Sequence, residues 1–444
     1  MKRLRTLSSH ASRVQALVAI LITSSFGCSA ADKGPSTTPE ENSAPPKLCS
    51  LSLTCAQQIV DADKRSCQFE VIDGDGTSIY KSYAGVELRG RSSIAFPKKN
   101  YSIELRSANT AAAPENPTNL LGMGQESDWV LDGMWADRAF SRNALVFDSF
   151  RDLRAQDWAP QSRLCTLSLN SQAQGIYRVV EKIKRDDDRL NIAADDGSGS
   201  SFVIKQDDDG VLEMPLGLQS KWKLVYPNQD NASSAQRAGI QSFLDKLRAA
   251  LSASANSSDA NTGVFAFLDF ENTVDWVLLQ EFSKNIDAYN LSVHFARSAG
   301  GKAVLIPWDI DLSLGQPIVR NEAGSANNDK PEGFIVHRND FINNLVKISA
   351  FKTRLASRWR ELRSGALAEA ALLTKLDRYE TTLDPARVAE NFMIWPIDKI
   401  DYAPIYPPYS LPRVQSHAQE MANLRAFVSA RLTWIDAHID TYPN

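Results

Sequence analysis

Between residues 67 and 107 apolar and polar side chains alternate in the manner of strands. Phe69 and Val71 fall on one face and Ile72 on the other. Tyr80, Tyr83, Val86 and Leu88 follow, then Tyr101, Ile103 and Leu105. A period of two predicts half-buried strands, and Asp73-Gly74-Asp75-Gly76 between the first two runs predicts a hairpin turn. Residues 108 to 127, with Pro114, Pro117, Gly122 and Gly124, read as a loop. The period then changes. Phe140, Ala144, Phe147 and Phe150 are helically spaced, which predicts a helix over 138–154. Leu167 and Leu169, then Ile176, Tyr177, Val179 and Val180, predict a second hairpin turning between Asn170 and Gln174.

Asp186 to Gly199 is a polar loop, and Phe202–Ile204 and Lys221–Tyr226 return to strand character. Ile240, Phe243, Leu244, Leu247 and Leu251 mark the buried side of a helix over 235–253. A second, strongly amphipathic helix, over 269–284, opens with Asp269 and Glu271, where the helix dipole favours acids. Val293 to Ile306 predicts a hairpin turning at Gly300-Gly301. Residues 340–384 and 415–439 are mainly helical, and the proline-rich stretch 392–413 reads as an ordered loop. Strands first, then helices around a central hairpin, predict an α+β fold with a β-rich part over about 48–230 and a helical part over about 231–444.

The first 28 residues do not belong to that pattern. Lys2, Arg3, Arg5 and Arg13 precede a mostly apolar run from Val14 to Phe26, too short for a comfortable membrane span and laid out like a secretory signal. Gly27-Cys28-Ser29 resembles the end of a bacterial lipobox. The expectation is an exported lipoprotein of the cell envelope, attached to a membrane through a lipid on Cys28; ordinary cleavage after Ala30 is the alternative. Residues 29–47 are polar and poor in large apolar groups, so they read as a flexible tether. Among 444 residues, 43% are hydrophobic and 23% charged, and the formal net charge is −4 with no basic block. A nucleic-acid partner is therefore not expected.

Export changes the meaning of the cysteines. Cys49, Cys55, Cys67 and Cys165 remain once Cys28 is set aside, and an even number in an oxidising compartment predicts two disulfides. Three connectivities are open, and the short span from Cys49 to Cys67 suggests that at least one bridge is local. A four-cysteine zinc site would need C-x-x-C pairs, and there are none. His10, His294, His337, His417 and His438 are scattered and read as surface or satisfied core residues.

Three segments carry candidate chemistry. Lys284-Asn285-Ile286-Asp287-Ala288 ends a helix, and Pro307-Trp308-Asp309-Ile310-Asp311 follows the central hairpin. If the two strands pair, Asp287 and Asp309 come to the same end of one sheet. Asp309 and Asp311 share a face of an extended chain, with Ile310 turned away. Converging carboxylates beside a Trp call for a cation. On spacing alone, a solvated turn is the commoner outcome. Arg89, Arg91, Lys98 and Lys99 concentrate positive charge near Gly85, Gly90, Ser92 and Ser93, as a phosphate cradle or a basic surface hairpin. Glu181 ends an apolar strand, where it would pair with a phosphate-binding lysine or form a solvated ion pair.

Taken in order, these segments resemble the CotH kinase family. The resemblance rests on Arg89-Gly90-Arg91-Ser92-Ser93, Pro97-Lys98-Lys99-Asn100-Tyr101, Arg142-Asn143-Ala144-Leu145, Gly175-Ile176-Tyr177 with Glu181, Lys284-Asn285-Ile286-Asp287-Ala288, and Pro307-Trp308-Asp309-Ile310-Asp311 with Gly315. It implies an atypical, reduced protein-kinase-like fold. It also implies ATP as co-substrate, Mg²⁺ or Mn²⁺ as cofactor, and a protein Ser/Thr acceptor. By the same resemblance Asp287 is the catalytic-loop aspartate. Asp309 is the metal-binding aspartate, with Asp311 beside it. Arg89, Lys98 and Lys99 are phosphate-side cations, and Glu181 is a supporting acid. Ser292 falls where a protein kinase has its metal-binding Asn, with Asn290 as a substitute. The alternative is a pseudokinase, a surface-anchored binding or scaffold lipoprotein.

Overall fold

The computed structural model describes residues 47–110, 112–216, 219–253, 262–316, 329–335, 340–401 and 411–443. The signal, Cys28, most of the tether, His10, His337 and the prolines at 404, 407 and 408 lie outside the described residues.

Seven strands close into a barrel in the order β1-β2-β3-β4-β7-β9-β8. They are β1 (Cys49–Cys55), β2 (Arg65–Ile72), β3 (Ser78–Arg89), β4 (Asn100–Arg106), β7 (Asp128–Asp132), β8 (Ser162–Leu169) and β9 (Gln172–Glu181). The short pair β5 (Thr118–Asn119) and β6 (Gln125–Glu126) sits in the expected 108–127 loop. The predicted period holds. Cys67, Phe69 and Val71 of β2 and Tyr101, Ile103 and Leu105 of β4 all point into the barrel core. The turn at Asp73–Gly76 closes with the N–H of Gly76, at φ 94°, donating to the Asp73 carbonyl at 2.9 Å. In the β8–β9 hairpin only Asn170 and Ser171 form the turn, both at positive φ (49° and 65°), so it is shorter than the expected 170–174. Two successive positive-φ residues give the turn whose twist matches the flanking strands.

Strand β1 was not expected from the sequence, although its C-S-L-S-L-T-C alternates fully between buried and exposed. It pairs antiparallel with β2 and parallel with β8, which closes the barrel. Two disulfides pin it there, Cys49–Cys165 to β8 and Cys55–Cys67 to β2. One bridge is local, as expected, and the other spans 116 residues.

The second sheet has the order β11-β12-β10-β13-β14. Its strands are β10 (Phe202–Gln206), β11 (Leu212–Leu216), β12 (Gln219–Tyr226), β13 (His294–Arg297) and β14 (Val304–Ile306), all antiparallel. Because β13 and β14 complete a sheet begun before residue 230, the β-rich and helical parts do not separate cleanly at that position.

The helices are α1 (Arg142–Leu153), α2 (Ser234–Ala253), α3 (Phe270–Ser283), α4 (Asp340–Leu345), α5 (Ser349–Arg363), α6 (Glu369–Thr382), α7 (Pro385–Ile394) and α8 (His417–His438). Helix α7 replaces the start of the expected loop. Its N-cap Asp384 accepts from the Ala386 N–H at 2.8 Å, and Pro385 occupies the first turn, where it costs no hydrogen bond. Helix α3 is not the amphipathic helix expected: it is buried on all sides from Asn272 to Ser283, the pattern of a core helix. Asp269 caps it by accepting from the Asn272 N–H at 2.7 Å. Lys284 ends it in a left-handed conformation, releasing the chain towards Asp287.

Candidate active site

Barrel register sets one wall of the site. Arg89 pairs with Asn100 across β3–β4, Tyr101 with Leu131 across β4–β7, and Asp132 with Arg178 across β7–β9. Arg89, Asn100, Asp132 and Arg178 therefore occupy one rung at the same rim. The Asn100 amide oxygen accepts from the Gly133 N–H at 2.7 Å, and the Asp132 carboxylate from the Met134 N–H at 2.8 Å.

The opposite wall is the pair of loops flanking the β13–β14 hairpin. After α3, Asn285 Oδ1 accepts from the Asp287 N–H at 3.1 Å, and the Asp287 carbonyl accepts from Asn290 and Leu291 N–H at 3.1 and 3.0 Å. The chain then enters β13 through Ser292. The Ser292 hydroxyl donates to Asp309 Oδ2 at 2.8 Å, which ties the two loops together. Asp309 itself is left-handed, at φ 59°. Lys284, Tyr289, Ser292, Asp309 and Leu314 are five of the eleven non-glycine residues with positive φ among the described residues. Each carries backbone strain that the surroundings must hold.

Helix α1 supplies much of that hold. The Ile310 N–H donates to Asn143 Oδ1 at 2.7 Å, and Arg142 Nε donates to the Ser313 carbonyl at 3.1 Å. Arg142 also pairs with Asp137 at 2.7 Å and with Glu420 of α8 at 2.8 Å, all three nearly water-free. Further along, Leu314 N–H donates to the Ser283 carbonyl at 2.7 Å. The Arg142-Asn143 pair thus positions the turn that carries Asp309 and Asp311. Ile310 is fully buried, as its place between the two acids predicted.

These loops put Asp287, Asp309 and Asp311 within electrostatic reach of one another, and Asp132 of the barrel rim and Asp137 before α1 act on Asp311 in the same way. The Asp311 carboxyl is held well above the usual carboxylate range, first by burial and then by Asp309, Asp132, Asp137 and Asp287. Burial also raises Asp132, opposed by the Met134 N–H and Arg178 and reinforced by Asp137 and Asp309. Arg89 lies over Trp308 at 5.6 Å from the ring centroid. Burial depresses its guanidinium, and Asp309, Asp132 and Glu87 counter that. Trp308 is itself stacked on Phe147 at 6.2 Å and meets the edge of the buried His294 at 6.1 Å. Asn290 is buried, and its Oδ1 has no hydrogen-bond partner.

Four other expected site residues go elsewhere. Lys98 is 3% exposed and turns into the barrel wall, where its ammonium donates to the Ile176 carbonyl at 2.6 Å and to Asn391 of α7 at 2.9 Å. Burial lowers its pKa to about 7, which Asp132 partly counters. Lys99 donates to the Ile94 carbonyl at 2.8 Å. Glu181 is fully buried. Its Oε2 accepts from the Gln161 N–H at 2.7 Å, its Oε1 has no partner, and no lysine pairs with it among the described residues. Burial raises it to about 7, against the Gln161 N–H, Arg189, Arg151 and Arg163. Arg91 pairs with Asp208 at 2.5 Å at the surface.

The sequence reading missed Asp132, Asp137 and the positioning role of Asn143. Asp132-Gly133 ends the apolar run Trp129-Val130-Leu131 much as Arg89-Gly90 ends β3, so a strand-end acid was visible. Its partner across the barrel was not.

The family model described as CotH kinase protein matches residues 86–435, which includes every residue of this cluster. The chain belongs to the CotH kinase protein family. No curated protein matches it significantly. In this CotH family member the barrel rim carries Arg89 and Asp132, while the loops around β13–β14 carry Asp287, Asp309 and Asp311.

Proposed function

We propose that this CotH family member is an ATP-dependent kinase that transfers the γ-phosphate to Ser or Thr hydroxyls of a protein acceptor at the cell envelope. The observation that carries this reading is Asp311, two residues from Asp309 and within the electrostatic reach of Asp287, Asp132 and Asp137, with Arg89 lying over the neighbouring Trp308. So much converging negative charge is unfavourable without a cation. The donors are hard oxygens, and the orphaned Asn290 Oδ1 adds another, which suits Mg²⁺ or Mn²⁺. Among the described residues no three His, Cys, Asp or Glu side chains form a metal-holding group on their own.

In this reading Asp309 and Asp311 hold the metal, Asp287 orients the acceptor hydroxyl, and Arg89 faces the phosphates. When bound, the metal neutralises phosphate oxygens as charge develops during transfer. Lys98 is latched to α7 and is left out of phosphate contact. The β-rich part with Arg89 and the helical part with Asp287 divide the work as in a reduced protein-kinase-like fold. A pseudokinase is the second reading, favoured by the inward turn of Lys98 and by Ser292 in place of a kinase Asn.

Calorimetric ATP titration with Mg²⁺, beside transfer of labelled γ-phosphate, tests this. Asp309→Asn is expected to weaken binding and turnover together. Asp287→Asn is expected to spare binding and to lower turnover by about 10²–10⁴-fold, the range for a general acid–base group. Binding without transfer in the wild type, across a panel of envelope acceptors, selects the pseudokinase. Absence of Mg-ATP binding by folded protein removes both readings. The proposed anchor is tested separately: Cys28→Ser should move the protein out of the membrane fraction, and unchanged partitioning rejects the lipid.

A further inference from the structure

The far end of the β13–β14 hairpin holds a second feature, roughly 15 Å from Ser292 at about 3.3 Å per strand residue. It is a cleft of about 300 Å³, lined by the 198–200 loop, one face of α2, residues 266 and 267, Arg297 and Gly301. From α2 it receives Gly239, Ser242, Phe243 and Lys246, spaced as one helix face. Its charged lining residues are Lys246 and Arg297, with no carboxylate among them.

The two cations are presented differently. Arg297 is fixed. Its Nε donates to the Gly301 carbonyl and its Nη1 to the Ser200 carbonyl, each at 2.9 Å, and its guanidinium lies over the Phe243 ring at 5.1 Å. Those partners are neutral carbonyls and a ring. Burial lowers the guanidinium's pKa, and no carboxylate offsets it. Lys246 is exposed and makes no hydrogen bond or ion pair among the described residues.

Two glycines build the wall between them. A Cβ on Gly239 would lie 1.8 Å from the Ser198 carbonyl oxygen, and one on Gly199, at φ 76°, would lie 2.2 Å from the Gln236 carbonyl oxygen. Glycine at both positions lets the loop close against α2, and this brings Ser242 and Ser200, whose hydroxyl donates to Asp196 at 3.5 Å, to the same cleft. On the loop's other side, Asp195 accepts from the Gly197, Gly199 and Ser201 N–H groups and from Gln236. Its charge is thereby engaged within the loop.

We infer that this cleft binds a tetrahedral oxyanion, a phosphate group held between the fixed Arg297 and the free Lys246 with serine hydroxyls beside them. A preformed guanidinium loses little freedom on binding, and an unpaired ammonium supplies the second charge. The inference stands on residues outside the carboxylate cluster and does not depend on the kinase reading. The phosphate is either a free ion or the phosphorylated side chain of a peptide.

The test is calorimetric titration of the full-length protein in EDTA with inorganic phosphate, a phosphoserine peptide and its unphosphorylated form. Millimolar or tighter binding is expected for phosphate or the phosphopeptide, falling with ionic strength. It should weaken about tenfold or more in Lys246→Glu, where a repulsive charge replaces an attractive one. Ser242→Asp, on the exposed helix face, should weaken it similarly and serves if Lys246→Glu fails to fold. A preference for the phosphopeptide identifies a phosphorylated side chain as the occupant. A preference for inorganic phosphate identifies the free ion. Equal binding of both peptides with no phosphate binding, no binding at all, or affinity unchanged in the folded variants overturns the inference.

Discussion

Glu181→Gln provides a test of how the barrel wall tolerates charge. The carboxyl is fully buried, accepts one N–H from Gln161 at 2.7 Å, and leaves Oε1 unpartnered. Ionising it there is costly, so its pKa rises from 4.5 to about 7. Below pH 4.5 the group is protonated in folded and unfolded chains alike and contributes no pH dependence. Between 4.5 and about 7 the folded state binds more protons than the unfolded state, so stability falls as pH rises. Above about 7 the loss is complete. At about 1.36 kcal/mol per pKa unit it amounts to about 3 kcal/mol. Glutamine does not titrate. Any fixed cost of its extra N–H group applies at every pH, so the comparison is a difference of differences. Urea unfolding of both proteins, under non-reducing conditions at pH 4.5 and pH 8, supplies it. Relative to wild type, the variant should gain about 3 kcal/mol between the two pH values. A gap between the two proteins that stays constant within about 0.5 kcal/mol would falsify the assignment of a buried, under-solvated carboxyl.

The turn that carries the acids can be probed without touching them. Asn143→Ala removes the acceptor for the Ile310 N–H and should cost about 1–3 kcal/mol in urea unfolding. It should also lower Mg-ATP affinity; an unaltered affinity would show that the turn holds itself. Arg142→Met removes the cation paired with buried Asp137 and leaves buried Glu420 with Arg138 alone, and should cost about 3–5 kcal/mol, read from the same unfolding curves. Removing Cys49–Cys165, which closes a 116-residue separation, should destabilise by about 5 kcal/mol, against about 3 for the 12-residue Cys55–Cys67 bridge. The reverse order would mean that loop closure is not what these bridges contribute.

Local pattern determined much of this protein. The period-two runs of β2 and β4, the Asp73–Gly76 turn and the buried face of α2 are consequences of neighbours in sequence. Backbone geometry alone sets which side chains share a face. Tertiary structure decided the rest. Strand β1 alternates fully, yet nothing local says that it pairs parallel with β8, more than 110 residues away, and closes a barrel. The rung of Arg89, Asn100, Asp132 and Arg178 exists only because four strands fall into one register. Lys98 and Lys99 look interchangeable in the sequence. Packing separates them, because the amide of Asn391, 293 residues along the chain, meets Lys98 inside the wall. A charged group is directed by whatever desolvates it and whatever pairs with it, and for Lys98 both come from strand β9 and helix α7 rather than from its neighbours in the chain.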